Sequence, residues 1–263
     1  MSDLINTIRN LFEATHSCEC PNSLFEGMTL DNLKFDDNLA NKFVTTARNI
    51  LTVAEWVISH MPEGSYDWLL DQAKQNYNFD KRAMLIDMRK IPGLDPVFIN
   101  AFDTPAILRF SVYKGTKNAG LGKSGDYDEI TIYIHTDKPA EYIKQDLQRR
   151  LPHELRHLAD AHDAEMIEVY QTTLKNNKSS GRTDYWTDLG EFYARMTEII
   201  TLVLQRLKNP EERKRITSVN DMLIKLKSNP TLLKLFNTLP QQYHATVINT
   251  LKSILTRVFA TLI

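Results

Sequence analysis

His153-Glu154-Leu155-Arg156-His157 is the stretch that decides how this chain of 263 residues is interpreted. On a helix, residues four apart lie one above the other on the same face, so both imidazoles can reach one metal ion. The glutamate directly after the first histidine points beside the metal, where it can accept a proton from a metal-bound water molecule. The pattern therefore predicts zinc ligands at His153 and His157 and a general base at Glu154. A pattern of only five residues also occurs by chance in unrelated proteins, so the interpretation depends on whether the chain supplies the rest of a zinc site.

A catalytic zinc ion needs a third protein ligand, and the sequence offers three candidates. Asp163 follows His157 by six residues, but a ligand there requires a sharp turn at position 160, which Asp160 tolerates less readily than glycine. We expect the third ligand to be Glu191, which begins a segment with a helical apolar stripe. Glu198, two turns further on, is the alternative ligand or an acid that holds a ligand histidine, and Asp160 is another candidate for such an acid.

The segment 153–160, followed after a gap by Tyr185 to Arg195, resembles the gluzincins, zincin metallopeptidases in which HExxH precedes a glutamate on a downstream helix. It is similar in particular to small zincin-like proteins of tailed bacteriophages and other mobile elements. The resemblance covers roughly residues 105–205. It implies Zn²⁺ held by His153, His157 and Glu191, and peptide hydrolysis with Glu154 as general base.

Three further residues near the expected site have an open role. Tyr185, Tyr193 and Arg195 could each stabilise an oxyanion. Each could equally be a structural partner, and Arg195 is then expected to pair with Asp160, Glu191 or Glu198. His162 and His244 could be donors near the zinc ion, but their spacing does not place them there, and an ordinary surface or core histidine is the default interpretation.

The functional alternatives come from different classes of protein. One is a non-catalytic structural or docking protein, such as a minor phage virion component, that keeps a zincin fold and a zinc site. Another is a protease that cleaves one regulatory partner. The expected partners are a protein or peptide substrate and, in the structural alternative, other virion proteins. The third alternative is a buried hydrogen-bond network without metal.

The composition excludes several classes of partner. A formal charge of −1 and a pI of about 6.7 give no electrostatic footprint for nucleic acid or an anionic membrane. The first residues lack a signal-peptide pattern and no stretch is apolar enough to span a bilayer, so we expect a cytoplasmic protein, in a host cell or packaged in a virion. Cys18 and Cys20 are too close for a good disulfide. With His16 they could hold a second metal, although an ordinary loop with free thiols is favoured.

The expected fold is α+β and predominantly helical. An N-terminal helical region (1–104) and a C-terminal one (209–263) flank a zincin-like core (105–208) in one compact unit. Helices are predicted at 2–15, 38–59 and 66–77, and after Asn209 with breaks at Pro210, Pro230 and Pro240. The last helix is expected to pack on the body of the protein.

Two strands, 106–113 and 129–135, are predicted to form a hairpin with a long loop that includes Gly115 and Gly125. Strand 129–135 is expected to be a sheet edge bordering the metal cleft, where an extended peptide could pair. The HExxH helix should start with Thr136 or Asp137 as its cap. Pro152 should kink that helix or begin a new one.

Overall fold

The computed structural model describes residues 35–112, 119–163 and 189–262. Its helices are α1 (Asp37–Ser59), α2 (Ser65–Gln75), α3 (Pro96–Asn100), α4 (Ala140–Ala161), α5 (Leu189–Leu207), α6 (Pro210–Lys214), α7 (Val219–Leu226), α8 (Pro230–Thr238) and α9 (His244–Ala260). Its strands are β1 (Asp80–Ile86), β2 (Ala106–Val112), β3 (Ala119–Ser124) and β4 (Tyr127–Ile134). The predicted α+β class with mainly helical content is confirmed, and helices 38–59 and 66–77 are found as α1 and α2. The predicted helix 2–15, with His16, Cys18 and Cys20 beyond it, lies outside the described residues.

The four strands form one mixed sheet in the order β1-β2-β4-β3. β2 and β4 run parallel, with Ile107 beside Glu129 and Val112 beside Ile134, so the predicted hairpin of these two strands is wrong. β4 forms its hairpin with β3, which lies in the stretch predicted to be a loop. Gly125 turns between them at a φ of 63°, a conformation that glycine adopts at little cost.

β4 is an interior strand, because it pairs with β2 on one side and β3 on the other. The prediction that residues 129–135 form an open edge is therefore wrong, and docking of a peptide along this strand is ruled out. Its alternation was predicted correctly: Ile130, Ile132 and Ile134 are buried on the face that packs against helices.

Helix α4 carries the HExxH motif and begins at Ala140, with Pro139 as N-cap and no side-chain cap. The predicted cap at Thr136 or Asp137 is therefore wrong. The helix continues through Pro152, so the predicted fresh start does not occur. Proline costs one backbone hydrogen bond, and burial of the apolar stripe offsets that loss. The stripe consists of Ile143, Leu147, Leu151, Leu155 and Leu158, each at most 3% exposed.

Among the described residues, two hydrophobic clusters make up the core, and α1 contributes to both. Its first half, with Phe43 and Ala47, packs with α5, α7, α8 and α9. Its second half, with Ile50 and Val57, packs with the sheet, α2 and α4. The facing surfaces of α4 and α5 consequently lie where the two clusters meet.

The C-terminal helices pack onto this body. Asn209 and Asn229 cap α6 and α8, and the proline after each occupies the first turn, so the predicted breaks at Pro210 and Pro230 are helix starts. A further break before α7, capped by Ser218, was not predicted. The apolar stripe of α9 is buried in the core, as expected. In the described ranges, a helix with the length and apolar character to cross a bilayer is not found.

Candidate metal centre

Three side chains from α4 and α5 converge where these helices pack together. His153 and His157 lie one turn apart on α4, and their Nε2 atoms are 3.2 Å apart. Glu191 lies in the first turn of α5. Its Oε1 is 3.1 Å from His157 Nε2, and its Oε2 is 3.5 Å from His153 Nε2. The structure thus brings together the three residues predicted as ligands.

The dimensions of this triangle suit a zinc ion. At bond lengths of about 2.0–2.1 Å, a tetrahedral ion holds its ligand atoms about 3.3–3.4 Å apart. The separations here, 3.1 to 3.5 Å, span that distance. Two imidazole nitrogens and one carboxylate are also the donor set of catalytic zinc sites that leave a position open. Among the described residues, this is the group of His, Cys, Asp and Glu side chains placed to hold a metal.

Glu198 lies at Nδ1 of His153, whereas Glu191 lies at Nε2 of the same ring, and Arg195 contacts both carboxylates. Glu198 Oε1 is 2.8 Å from His153 Nδ1 and accepts a hydrogen bond of 2.8 Å from Arg195 Nη1. Arg195 Nη2 is also 3.8 Å from Glu191 Oε2. Arg195 thus pairs with two of its three expected partners. Glu198 occupies the place of an acid that fixes the ring of a ligand histidine.

Burial and charge act against each other at these residues. Burial lowers the pKa of His153, but the carboxylates of Glu191 and Glu198 outweigh burial and raise the pKa of His153 to about 9. Burial raises the pKa of Glu191, but hydrogen bonds with His153 and His157 outweigh it and hold that pKa below its usual range. The pKa of Glu198 is lowered in the same way, with burial opposed mainly by His153. In the absence of a metal, the ring of His153 and the carboxylates of Glu191 and Glu198 therefore favour each other's charged forms.

Glu154 is buried, with 6% of its surface exposed. Burial raises the pKa of its carboxyl group, and the nearby His153 and His157 partly offset that rise. A carboxylate with a raised pKa accepts and releases protons closer to neutral pH. This property suits the role of general base predicted for Glu154.

The remaining acidic candidates have cationic partners. Asp163 Oδ2 is 2.8 Å from Lys42 Nζ, so its carboxylate faces α1. Asp160 Oδ1 is 2.8 Å from Arg156 Nε, within the same helix. Neither carboxylate belongs to the group that could hold a metal among the described residues.

The other residues singled out from the sequence have structural surroundings. His162 Nε2 is 2.8 Å from Asp128 Oδ2, which joins the end of α4 to β4. His244 Nε2 contacts the carbonyl oxygens of Phe236 and Leu239 at the end of α8. The ring of Tyr193 packs against Phe43 in the core. Tyr185 and Gly115 lie outside the described residues.

One contact of the site was not predicted. Thr231, at the start of α8, donates a hydrogen bond of 2.8 Å to Glu198 Oε2. The two residues are 33 positions apart, and a threonine after an Asn-Pro pair carries no signal in the sequence that would associate it with a metal site.

The chain was compared with known proteins at three levels. No family profile, curated protein or solved structure matches it.

Proposed function

We propose that this protein is a zinc-dependent metallopeptidase with a zincin-like core of the gluzincin type. The observation that carries the proposal is the triangle of His153 Nε2, His157 Nε2 and a carboxylate oxygen of Glu191, with sides of 3.1 to 3.5 Å. The buried Glu154 directly after the first ligand supports a hydrolytic role over a purely structural metal site.

Each residue of the centre has a distinct task in this proposal. His153, His157 and Glu191 hold the ion, and Glu198 orients His153. A bound zinc ion would lower the pKa of a water molecule and polarise the carbonyl of the scissile peptide. Glu154 takes the proton of the attacking water and passes it to the leaving amine.

The peptide is proposed to approach along β3. This strand comes last in the sheet order and contacts α4. An extended peptide can add to such an edge through backbone hydrogen bonds.

The first test is metal content. Purified protein should carry about one equivalent of zinc, since one site with three ligands binds one ion. Glu191→Ala should lose the metal, and Asp163→Ala should retain it, because Asp163 pairs with Lys42. Loss of zinc in Asp163→Ala with retention in Glu191→Ala would show that the ligand assignment is wrong.

The second test separates catalysis from metal binding. Glu154→Gln should keep zinc and the fold but lose proteolysis, because an amide does not accept the proton of the attacking water. Equal cleavage by the variant and the wild type would exclude Glu154 as the base. A zinc-loaded wild type that cleaves no peptide from a degenerate library, nor any protein that copurifies with it, would favour a non-catalytic structural protein.

A further inference from the structure

Glu198 is the point at which three helices meet behind the metal centre. Its carboxylate is 2% exposed and contacts His153 of α4, Arg195 of its own helix α5 and Thr231 of α8. Oε1 is shared by His153 and Arg195, whereas Oε2 accepts the hydroxyl of Thr231. Both oxygens of a buried carboxylate are thus engaged, and each has a different donor.

The hydroxyl of Thr231 is presented by a rigid support. Thr231 is 3% exposed and follows Pro230 in the first turn of α8. The side chain of Asn229 caps that turn by accepting a hydrogen bond of 2.9 Å from Leu232 N. A β-branched side chain also has few allowed rotamers. The position of the hydroxyl is therefore set by the start of α8.

The buried threonines of α5 provide a contrast. Thr197 donates to the carbonyl oxygen of Tyr193, and Thr201 donates to the carbonyl oxygens of Thr197 and Glu198. These are bonds within one helix, which a threonine makes wherever it is buried in a helix. Thr231 donates instead to an ionised side chain on another helix, a stronger kind of hydrogen bond.

We propose that Thr231 is a positioning residue of the metal centre, so that the C-terminal helices complete the site. Its hydroxyl fixes the carboxylate of Glu198, which holds Nδ1 of His153 and thereby directs Nε2 of that ring toward the metal. Without this hydroxyl, Oε2 loses a donor inside the protein, and the orientation of the carboxylate toward His153 is less firmly held. This inference rests on the proposed zinc site and adds a determinant of metal affinity from outside the two ligand-bearing helices.

Zinc affinity tests the inference without any substrate. The full chain would be stripped of metal and titrated with zinc against a fluorescent chelator. Thr231→Val keeps the size of the side chain but removes the hydroxyl, and it should weaken zinc binding roughly tenfold, the lower end of effects from groups that orient ligands. Thr231→Ser should bind zinc like the wild type. Thr201→Val is the matched control and should leave zinc affinity unchanged. Wild-type affinity in Thr231→Val would overturn the inference.

A second comparison shows whether Thr231 acts through Glu198. In a Glu198→Ala background the acceptor is gone, so Thr231→Val should cause no further loss of zinc affinity. An equal loss in both backgrounds would overturn the inference. If Thr231→Val does not fold, Thr231→Ala is compared with Thr231→Ser under the same criterion. A wild type that binds no zinc would reject the proposed function itself. If the wild type binds zinc but substitution of Thr231 does not change the zinc affinity, only this inference is rejected.

Discussion

The side chain of Arg156, inside the HExxH motif, is enclosed by aromatic rings. Its guanidinium carbon lies 4.8 Å from the centre of the Phe43 ring and 5.3 Å from that of Tyr193. Its charge is balanced by Asp160, 2.8 Å away. A planar guanidinium can stack on rings and pair with a carboxylate at once, which a lysine ammonium does less well. Arg156 thus ties the motif helix to α1 and α5.

Removal of this buried cation should be costly. Arg156→Met keeps the length of the side chain but leaves the carboxylate of Asp160 without that partner, so we expect a loss of about 3 kcal/mol in the free energy of unfolding. Arg156→Met combined with Asp160→Asn should recover part of the loss. Urea unfolding of the metal-free proteins measures both values. A double variant no more stable than Arg156→Met would contradict the proposed pairing.

A second prediction at the residue scale concerns the stability of the folded protein at acidic pH, which depends on Asp128. Burial raises the pKa of Asp128, but Lys123 and His162 outweigh burial and hold that pKa below its ordinary value of 3.8. A group with a lowered pKa stabilises the fold above its ordinary pKa, and this contribution is lost as the pH falls through its folded pKa. Asp128→Asn should therefore be less stable than the wild type at pH 7, with the difference shrinking below pH 3.8.

The measurement for Asp128 is the urea midpoint of chelator-treated protein over a series of pH values. Removal of metal keeps acid-induced zinc release from contributing to the result. A difference between variant and wild type that persists unchanged into strong acid would show that the carboxylate of Asp128 is not preferentially ionised in the folded state.

At the scale of elements, two Asn-Pro pairs start helices in the same way but differ in their relation to the site. Asn229 starts α8, which carries Thr231, and Asn209 starts α6. Each asparagine accepts a backbone hydrogen bond of 2.9 Å. Asn229→Ala and Asn209→Ala should each destabilise the protein by about 1 kcal/mol, the usual cost of a lost N-cap.

Only one of these two variants should affect the metal. Asn229→Ala loosens the turn that presents Thr231, so zinc binding should weaken a few-fold, whereas Asn209→Ala should bind zinc like the wild type. Zinc titration beside urea unfolding separates the two effects. Equal zinc affinity in both variants, at similar losses of stability, would show that the start of α8 has no influence on the centre.

The sequence predicts some elements better than others, for physical reasons. α4 and β4 have apolar residues at regular intervals, so their type and buried faces follow from periodicity. β3 contains Gly120 and Gly122 and few strand-forming residues, and β1 begins with three charged residues and is largely exposed, so the sequence pattern predicts neither strand. Strand direction and order depend on long-range pairing that periodicity does not contain. For this reason the hairpin and the edge strand were predicted wrongly.

The residues of the site differ in the same way: some are predictable from the sequence, whereas one is placed there only by tertiary packing. His153, Glu154 and His157 follow from helical spacing within one motif. Glu191 follows from the chemical need for a third ligand on a second helix. Thr231 becomes visible only in the structure, because its contact with Glu198 is made by the packing of α8 on α5.

At the scale of the whole molecule, α1 joins the two hydrophobic clusters and the metal centre lies where they meet. Both clusters should therefore unfold together, and zinc should stabilise both. At a free zinc concentration 100 times the dissociation constant, we expect about 2.7 kcal/mol of added stability. Thermal unfolding followed by circular dichroism and by tryptophan fluorescence should give coincident curves that shift together with zinc. Two separate transitions, with only one responding to zinc, would contradict this coupling.

The direct packing of α4, α5 and α1 has an evolutionary consequence. The ligand-bearing helices are located by contacts with one another and with α1. Insertions or deletions between His157 and Glu191, now 34 positions apart, need not move the ligands. Selection would then preserve His-Glu-x-x-His and Glu-x-x-x-Arg-x-x-Glu as two separate signatures, while the interval between them drifts. Distant relatives of this protein should accordingly contain the two signatures at variable spacing. A sequence search that fixes the interval at 34 positions would miss them.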